Sequence, residues 1–414
     1  MLAAYRVLDL SNERGLLCGQ ILADLGADVI AVEPPQGSSA RRLPPFYKDV
    51  PDPEHSLVWW AYARNKRVIA LDLLRPQGRE LLRRLAASAD VLVESEAPGR
   101  LAELGLGYDD LARLNERLVY VSITPFGQHG PKRDWAESDL VLWASAGPLY
   151  LSGDADRPPL RPSVPQSWAH ACADAAVAAL VALAERRRSG RGQHVDVSAQ
   201  QSVSIVTLAA NLSAQLRAPL PTRSSGVLKV GSVTVRTVFP ARDGWVLHVP
   251  GITPAVTGFM KRTMQWLIEE KLCDPKLADE DFGTWGIRMF LGQFAQADWD
   301  PVDAALAALF ARHAKADLLR EAVARRLLLA PILDPGELAR SEQLAAREWP
   351  VALAHAELGA TFLYPGPFAR FERTPLRYRR RAPRIGEHGR EVLVSELGLA
   401  PAEFDALRAQ GVVA

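Results

Sequence analysis

A chain of 414 residues with a net charge of +1 gives no electrostatic reason to expect binding to nucleic acid or to an anionic membrane. A hydrophobic content of 48% and a charged content of 23% are typical of a globular protein, and the length favours two domains. Three widely spaced cysteines match neither a metal-ligand spacing nor an even-numbered disulfide set, which predicts reduced thiols, a cytoplasmic location and no metal site. The longest apolar run, Ala175–Ala184, is too short to span a bilayer.

The first 33 residues predict a β-α-β unit with a strand at Tyr5–Leu10, a helix at Leu16–Leu25 and a strand at Ala27–Glu33. Glu33 ends the second strand, where a dinucleotide-binding protein would place its ribose-binding acid. The first turn, residues 11–15, lacks the GxGxxG pattern that approaches a pyrophosphate, so we do not predict dinucleotide binding.

Further strands and helices follow the first unit along the chain. Residues 65–73 and Ala89–Glu94 read as strands on either side of a helix at Gly78–Ser88, and Leu118–Thr124 reads as the next strand. After residue 221 the pattern changes to short strands, at Val227–Phe239 and Gly244–Val249, followed by charged helices.

An Ala-rich helix is predicted from Trp168 to Arg188, because that run contains neither Gly nor Pro. Ser167 is the expected N-cap, since its hydroxyl can accept a hydrogen bond from a first-turn N–H. Gly190 permits the left-handed turn that ends the helix, and a strand begins at His194.

This helix, with the SGRGQHVDVS segment after it, resembles the core of the class III CoA-transferases, the family of formyl-CoA transferase and of CaiB and BaiF. The resemblance covers nearly the whole chain, since family-like segments recur in order at 26–30, 125–131 and 383–388. In that family an aspartate at the start of the helix attacks an acyl-CoA and becomes an aspartyl anhydride. Without a gap, the aspartate position falls on Trp168, whose indole is neither nucleophile nor base.

The resemblance also implies where CoA would bind. It assigns CoA-binding positions to Arg41 and Arg42, whose loop would grip the phosphates, and to Leu71, Ser95 and Glu96. In the family the loop at 93–99 reads roughly VENFRPG, so Glu96 stands where an aromatic residue touches CoA.

The reaction centre departs from the family at further positions. Asp139 begins a helix that approaches the centre and is expected to face the substrate, as is Trp168. Related racemases use a histidine at the position of Ser138, so the chain lacks both of the acid–base groups that racemisation needs. His170 and Asp174 are the remaining candidates for a substitute nucleophile. The glycine-rich loop of the family, near 226–232, keeps only two glycines.

The resemblance implies a large α/β, Rossmann-like domain built from both chain ends, residues 1–220 and 331–414, and a small α+β domain at 221–330. It also implies that two subunits thread through each other as an interlaced dimer, with a stability that depends on protein concentration. No permanently bound cofactor is expected, because CoA and acyl-CoA are substrates.

Loss of the reactive groups alongside intact scaffold motifs leads to our first hypothesis, a CoA-transferase subunit that lacks the nucleophile and pairs with an aspartate-bearing homologue. Heteromeric members of the family, such as benzylsuccinate CoA-transferase, are built in this way. Two alternatives stay open. One is a self-sufficient acyl-CoA enzyme with another nucleophile, and the other is a non-enzymatic CoA-binding or regulatory paralogue.

Overall fold

The computed structural model describes residues 1–414, which form two compact units. The first unit contains Met1–Leu149, Arg161–Leu220 and Gln343–Ala414, and the second contains Tyr150–Leu160 and Pro221–Glu342. The second unit therefore takes in an earlier segment and extends past residue 330, where the sequence pattern had placed its end.

A six-stranded parallel sheet forms the centre of the first unit, in the order β3-β2-β1-β4-β5-β6. Its strands are β1 (Arg6–Asp9), β2 (Asp28–Glu33), β3 (Arg67–Ala70), β4 (Val91–Glu94), β5 (Val119–Thr124) and β6 (His194–Ser198). The predicted α/β fold with a central parallel sheet is confirmed. The strand order reverses direction between β1 and β4, and in sheets of this kind ligands bind outside the carboxyl ends of the strands at that point.

Ten helices connect the strands of this sheet or follow its last strand. They are α1 (Leu16–Asp24), α2 (Leu57–Ala63), α3 (Pro76–Ala86), α4 (Arg100–Glu103), α5 (Tyr108–Ala112), α6 (Asp139–Ala146), α7 (Pro148–Leu151), α8 (Ser167–Ser189), α9 (Ala199–Ser204) and α10 (Leu208–Gln215).

Helix α8 is the longest helix and packs closely on the sheet. Its buried face consists largely of alanines, including Ala171, Ala175 and Ala179, which lie in one core cluster with residues of β5 and α1. Small side chains allow this close approach. By length and composition alone α8 qualifies as a membrane span, contrary to the estimate from the apolar run, but 44% of its most apolar window is buried inside the protein.

The second unit contains a three-stranded antiparallel sheet, a two-stranded hairpin and five helices. Its elements are β7 (Val227–Val230), β8 (Val233–Arg236), β9 (Val238–Ala241), β10 (Gly244–His248), α11 (Thr257–Glu269), α12 (Phe282–Phe290), α13 (Gln296–Arg312), α14 (Lys315–Arg325), β11 (Leu329–Ile332) and α15 (Pro335–Ala339). The β7–β8 hairpin occupies the stretch that the resemblance assigned to a glycine-rich loop. Gly231 turns it with a φ of 59°, and a Cβ there would lie 2.4 Å from the Met289 carbonyl oxygen.

The C-terminal segment returns to the first unit. After α16 (Glu342–Ala346) it forms a hairpin of β12 (Val351–His355) and β13 (Ala360–Tyr364), then α17 (Pro401–Ala409). Phe404, Leu407 and Val413 belong to the same core cluster as Leu8 and Ile30 of the sheet. Both ends of the chain therefore build the core of this unit.

Candidate active site

The N-terminus of α8 is capped by Asp139 rather than by its own serine. Oδ1 of Asp139 accepts hydrogen bonds from the backbone N–H groups of Gln166 and Ser167, both at 2.9 Å. The prediction that Ser167 caps the helix is wrong, because Ser167 is itself the first helical residue. Oδ2 of Asp139 is buried without a hydrogen-bond partner, and the guanidinium of Arg161 lies 3.8 Å from it.

Trp168 stands in the first turn of α8, partly buried against the core cluster of this helix. The guanidinium of Arg14 lies over its indole, 5.6 Å from the ring centroid, within the range of a cation–π contact. Arg14 also forms an ion pair with Glu137 at 2.7 Å, and the Glu137 side chain is only 8% exposed. Burial raises the pKa of Glu137, and the nearby Arg14 partly opposes this rise.

The sequence reasoning missed Arg14 and Glu137. The signal available was an arginine in the turn after β1, next to Glu13. Arg14 and Glu137 are more than a hundred residues apart, and folding places both beside Trp168. The residue predicted to stand at the family's nucleophile position is thus an aromatic ring under a cation.

The two substitute nucleophiles are not part of this cluster. Asp174 is exposed on the outer face of α8, which it shares with Val177 and Val181 at 60% and 63% exposure. His170 is partly buried one turn after Gln166, whose carbonyl accepts its backbone N–H. Neither side chain forms an ion pair or hydrogen bond with Asp139, Arg14 or Glu137.

Arg41, which the resemblance assigned to a CoA phosphate, has a completely buried side chain. Its guanidinium makes a bidentate ion pair with Glu33, binds Glu54 at 2.9 Å and donates to the Pro383 carbonyl at 3.0 Å. It lies 3.9 Å from the ring centroid of Trp59. Arg41 therefore joins segments of the first unit and has no side open to a ligand.

Arg42, the next residue, points outward. It ends a short 3₁₀ turn, Ser39–Arg42, and is exposed, with one long hydrogen bond of 3.4 Å to the Gln36 carbonyl. Since this single weak bond is the only one that holds it, Arg42 is the arginine of the pair that can turn toward a phosphate.

A cavity of about 340 Å³ lies beside the carboxyl ends of β1, β2 and β3 and the loop after β4. Leu71 and Glu96, both assigned to CoA binding, line it together with Leu10, Gln36 and Arg100. Ser95 does not line it. The Ser95 side chain is buried, accepts the Asn12 N–H at 3.0 Å and donates to the Asn12 side-chain oxygen, so it fixes the loop that carries Glu96.

A second cavity, of about 650 Å³, was not anticipated from the sequence. Its floor includes Glu94, which is 4% exposed and accepts the Glu96 N–H at 2.7 Å. Burial raises the pKa of Glu94 to about 7, while a hydrogen bond from Ser122 lowers it. Ser122 Oγ in turn lies 2.9 Å from Nε2 of His194, which stacks on Tyr108. A glutamate at the carboxyl end of a strand was the only sequence signal for this cluster.

No group of three or more His, Cys, Asp or Glu side chains in the chain is arranged to hold a metal ion. Cys18 and Cys172 are buried free thiols, and burial raises the pKa of each well above its ordinary value. These thiols are therefore protonated at neutral pH, and protonated thiols are weak nucleophiles.

The chain is similar to known proteins along its full length. It is 35% identical to the BbsE subunit of succinyl-CoA:(R)-benzylsuccinate CoA-transferase of Thauera aromatica, over 99% of this chain and 97% of that protein. It is 32% identical to the succinyl-CoA–D-citramalate CoA-transferase of Chloroflexus aurantiacus, over 99% and 97%. The crystal structure of a CaiB/BaiF family protein from Brucella suis superposes with a TM-score of 0.81 at 28% identity, covering 95% of this chain and 98% of that one.

The family model of CoA-transferase family III matches residues 2–389. This match spans the parallel sheet, the helix that carries Trp168 and the cavity beside Leu71. It agrees with the resemblance carried by the sequence motifs. The chain belongs to CoA-transferase family III.

Proposed function

We propose that this chain is the subunit without a nucleophile in a heteromeric CoA-transferase that moves CoA between an acyl-CoA and a carboxylic acid. The observation that carries the proposal is Trp168 in the first turn of α8, covered by Arg14 and held against the core. An indole cannot form the covalent acyl intermediate, whereas the chain belongs to a family of CoA-transferases and has a cavity beside its parallel sheet. The aspartate of a homologous partner supplies the reacting carboxylate.

The cavity at the carboxyl edge of the sheet is the proposed binding site for the nucleotide end of CoA. It lies where the strand order reverses, and Leu71 supplies an apolar floor. Arg42 supplies the phosphate contact, because it is exposed and can move while Arg41 cannot. Glu96 at the wall is a poor neighbour for a phosphate, so we expect this subunit to bind CoA more weakly than its partner does.

Apolar side chains on α10 and beside both of its ends support the proposed interlaced dimer. Five of them are each more than half exposed in the isolated chain: Ile205, Val206, Leu208, Leu212 and Leu216. Exposed apolar surface of this extent is unfavourable in water and marks a surface that another chain covers. The subunit designation in the name of the Thauera relative agrees with a heteromeric partner. A cytoplasmic location remains a prediction from the reduced cysteines.

The CoA donor and the acid that accepts CoA are proposed by chemical class. The two relatives described above carry succinyl-CoA in their names, paired with (R)-benzylsuccinate or D-citramalate. We therefore propose a CoA exchange between succinyl-CoA and a second carboxylic acid, and succinyl-CoA is the first donor to test.

Intact-protein mass spectrometry after incubation with succinyl-CoA tests the proposal. The chain is measured alone and as the complex isolated from its own host. We expect no covalent adduct on the chain alone, and an adduct on a second, homologous chain in the complex. The matched control is that second chain with its nucleophilic aspartate replaced by Asn, which should remove the label and the transferase activity.

The other outcomes identify the alternatives. An adduct on the lone chain would contradict a silent subunit, and peptide mapping would then decide between His170 and Asp174. A chain that binds CoA but carries no adduct and has no homologous partner would be a regulatory CoA-binding paralogue.

A further inference from the structure

Arg14 is held from several sides. Its backbone carbonyl accepts a hydrogen bond from the thiol of Cys172 on α8, with 3.1 Å between S and O. Its backbone N–H donates a hydrogen bond to the side-chain oxygen of Asn12 at 3.1 Å. Asn12 is itself bound to Ser95 in the loop after β4. The turn that carries Arg14 is therefore fixed both to the helix of the reaction centre and to the loop of the CoA cavity.

The guanidinium of Arg14 has two partners that depend on it. Glu137 is nearly buried, and Arg14 is its ion-pair partner, so removing Arg14 would leave an unpaired carboxylate out of water. The indole of Trp168 lies under the guanidinium and provides a neutral, electron-rich face. The three side chains form one cluster in which a neutral ring at position 168 suits the cation.

A carboxylate at position 168 would lie near this cation, whose guanidinium carbon is 5.6 Å from the centre of the present ring. An opposite charge within a few ångströms stabilises the ionised form of a carboxyl group and lowers its pKa. Anhydride formation removes that charge, because a carboxylate oxygen bonds to the thioester carbonyl carbon, the C–S bond breaks and CoA leaves as the thiolate. An ion pair with Arg14 would therefore favour the unreacted carboxylate.

We propose that Arg14, together with Glu137, is a second determinant that silences this site, so that restoring a carboxylate at position 168 does not by itself restore acyl transfer. Arg14 acts as a positioning residue that captures the carboxylate, and Trp168 is the side chain that accommodates Arg14. This inference rests on the proposed function, in which the chain does not react on its own.

The test compares W168D with the triple variant R14Q/E137Q/W168D in the full-length chain. The triple variant removes the cation and its buried partner together, so no unpaired charge is left behind. The matched control is E185Q/R188Q/W168D, which removes an ion pair of 2.6 Å from the exposed far end of the same helix. Each variant is incubated with succinyl-CoA, and the rate of covalent labelling at position 168 is followed by intact mass and peptide mapping.

We expect the triple variant to be labelled about tenfold faster than W168D or more, since a neighbouring cation lowers a carboxyl pKa by about one to three units. The control should label as slowly as W168D. The pH at which labelling reaches half its maximum should also be lower in W168D than in the triple variant, a shift that a purely structural role of Arg14 would not produce.

Equal labelling rates in W168D and the triple variant would overturn the role of Arg14. Absence of label from both variants, with the native circular dichroism spectrum and CoA binding retained, would overturn it as well. Labelling of the unmodified chain would instead contradict the proposed function, and the wild-type measurement separates that failure from the other two.

Discussion

Glu94 gives the sharpest prediction about stability. Its side chain is 4% exposed at the end of β4, and it forms no ion pair with any cation of the chain. Burial raises its pKa to about 7, against an ordinary value of 4.5. The folded protein therefore holds the Glu94 proton more tightly than the unfolded chain does.

The direction in which stability changes with pH follows from this difference in proton affinity. Between pH 4.5 and 7 the unfolded chain releases the proton while the folded protein keeps it, so the free energy of unfolding falls as the pH rises. At about 1.4 kcal/mol per pKa unit, Glu94 costs the folded state up to about 3 kcal/mol above pH 7, and less than about 1 kcal/mol at pH 5. Glu94→Gln cannot ionise and can still accept the Glu96 N–H.

Urea unfolding at pH 5 and pH 8, at one fixed protein concentration, measures the effect. We expect the free energy of unfolding of Glu94→Gln, taken relative to the wild type, to be about 2 kcal/mol higher at pH 8 than at pH 5. Glu96→Gln is the matched control, because its side chain is less buried and its charge is only a lesser cause of the raised pKa of Glu94, so its gain should be much smaller. A difference between Glu94→Gln and the wild type that is equal at both pH values would refute the reasoning.

Three further predictions concern single side chains. Lys66→Met should lower the free energy of unfolding, measured in urea, by about 3–5 kcal/mol, because Lys66 pairs with Asp9 at 2.7 Å and both are fully buried. Adding Asp9→Asn to the Lys66→Met variant should restore part of that loss. Asp139→Ala should cost about 1 kcal/mol in thermal unfolding by uncapping α8, whereas Asp139→Asn, which keeps an accepting oxygen, should cost less. Arg42→Ala should weaken CoA binding about tenfold, measured by calorimetry, since charge-assisted hydrogen bonds contribute about 1.5–3 kcal/mol. Arg75→Ala is the control and should leave the CoA affinity unchanged. Equal losses of affinity in the two variants would contradict the assignment.

The local sequence determined most of the secondary structure. Short apolar runs located β1 and β2, and the Gly- and Pro-free alanine run located α8, each to within about two residues. These features depend on neighbours along the chain, so a short window contains the information. The family motifs likewise lie in short segments, which is why the amino-acid sequence alone is enough to identify the family.

Long-range partners were decided only by the tertiary structure. Arg41 and Arg42 are adjacent and identical in type, yet one is buried and one is exposed, because Glu33 of β2 and Glu54 converge on the first of them. No local pattern distinguishes them, since burial of a charge depends on partners brought in from elsewhere.

The same reason separates the predictable from the unpredictable part of the reaction centre. The sequence by itself predicts that Trp168 stands at the family's nucleophile position, because that prediction follows from position along one helix. The cation above the ring comes from the turn after β1, and its counter-charge, Glu137, comes from the segment before α6. Their meeting depends on how the strands and helices pack, so only the folded chain shows that Trp168 lies together with Arg14 and Glu137.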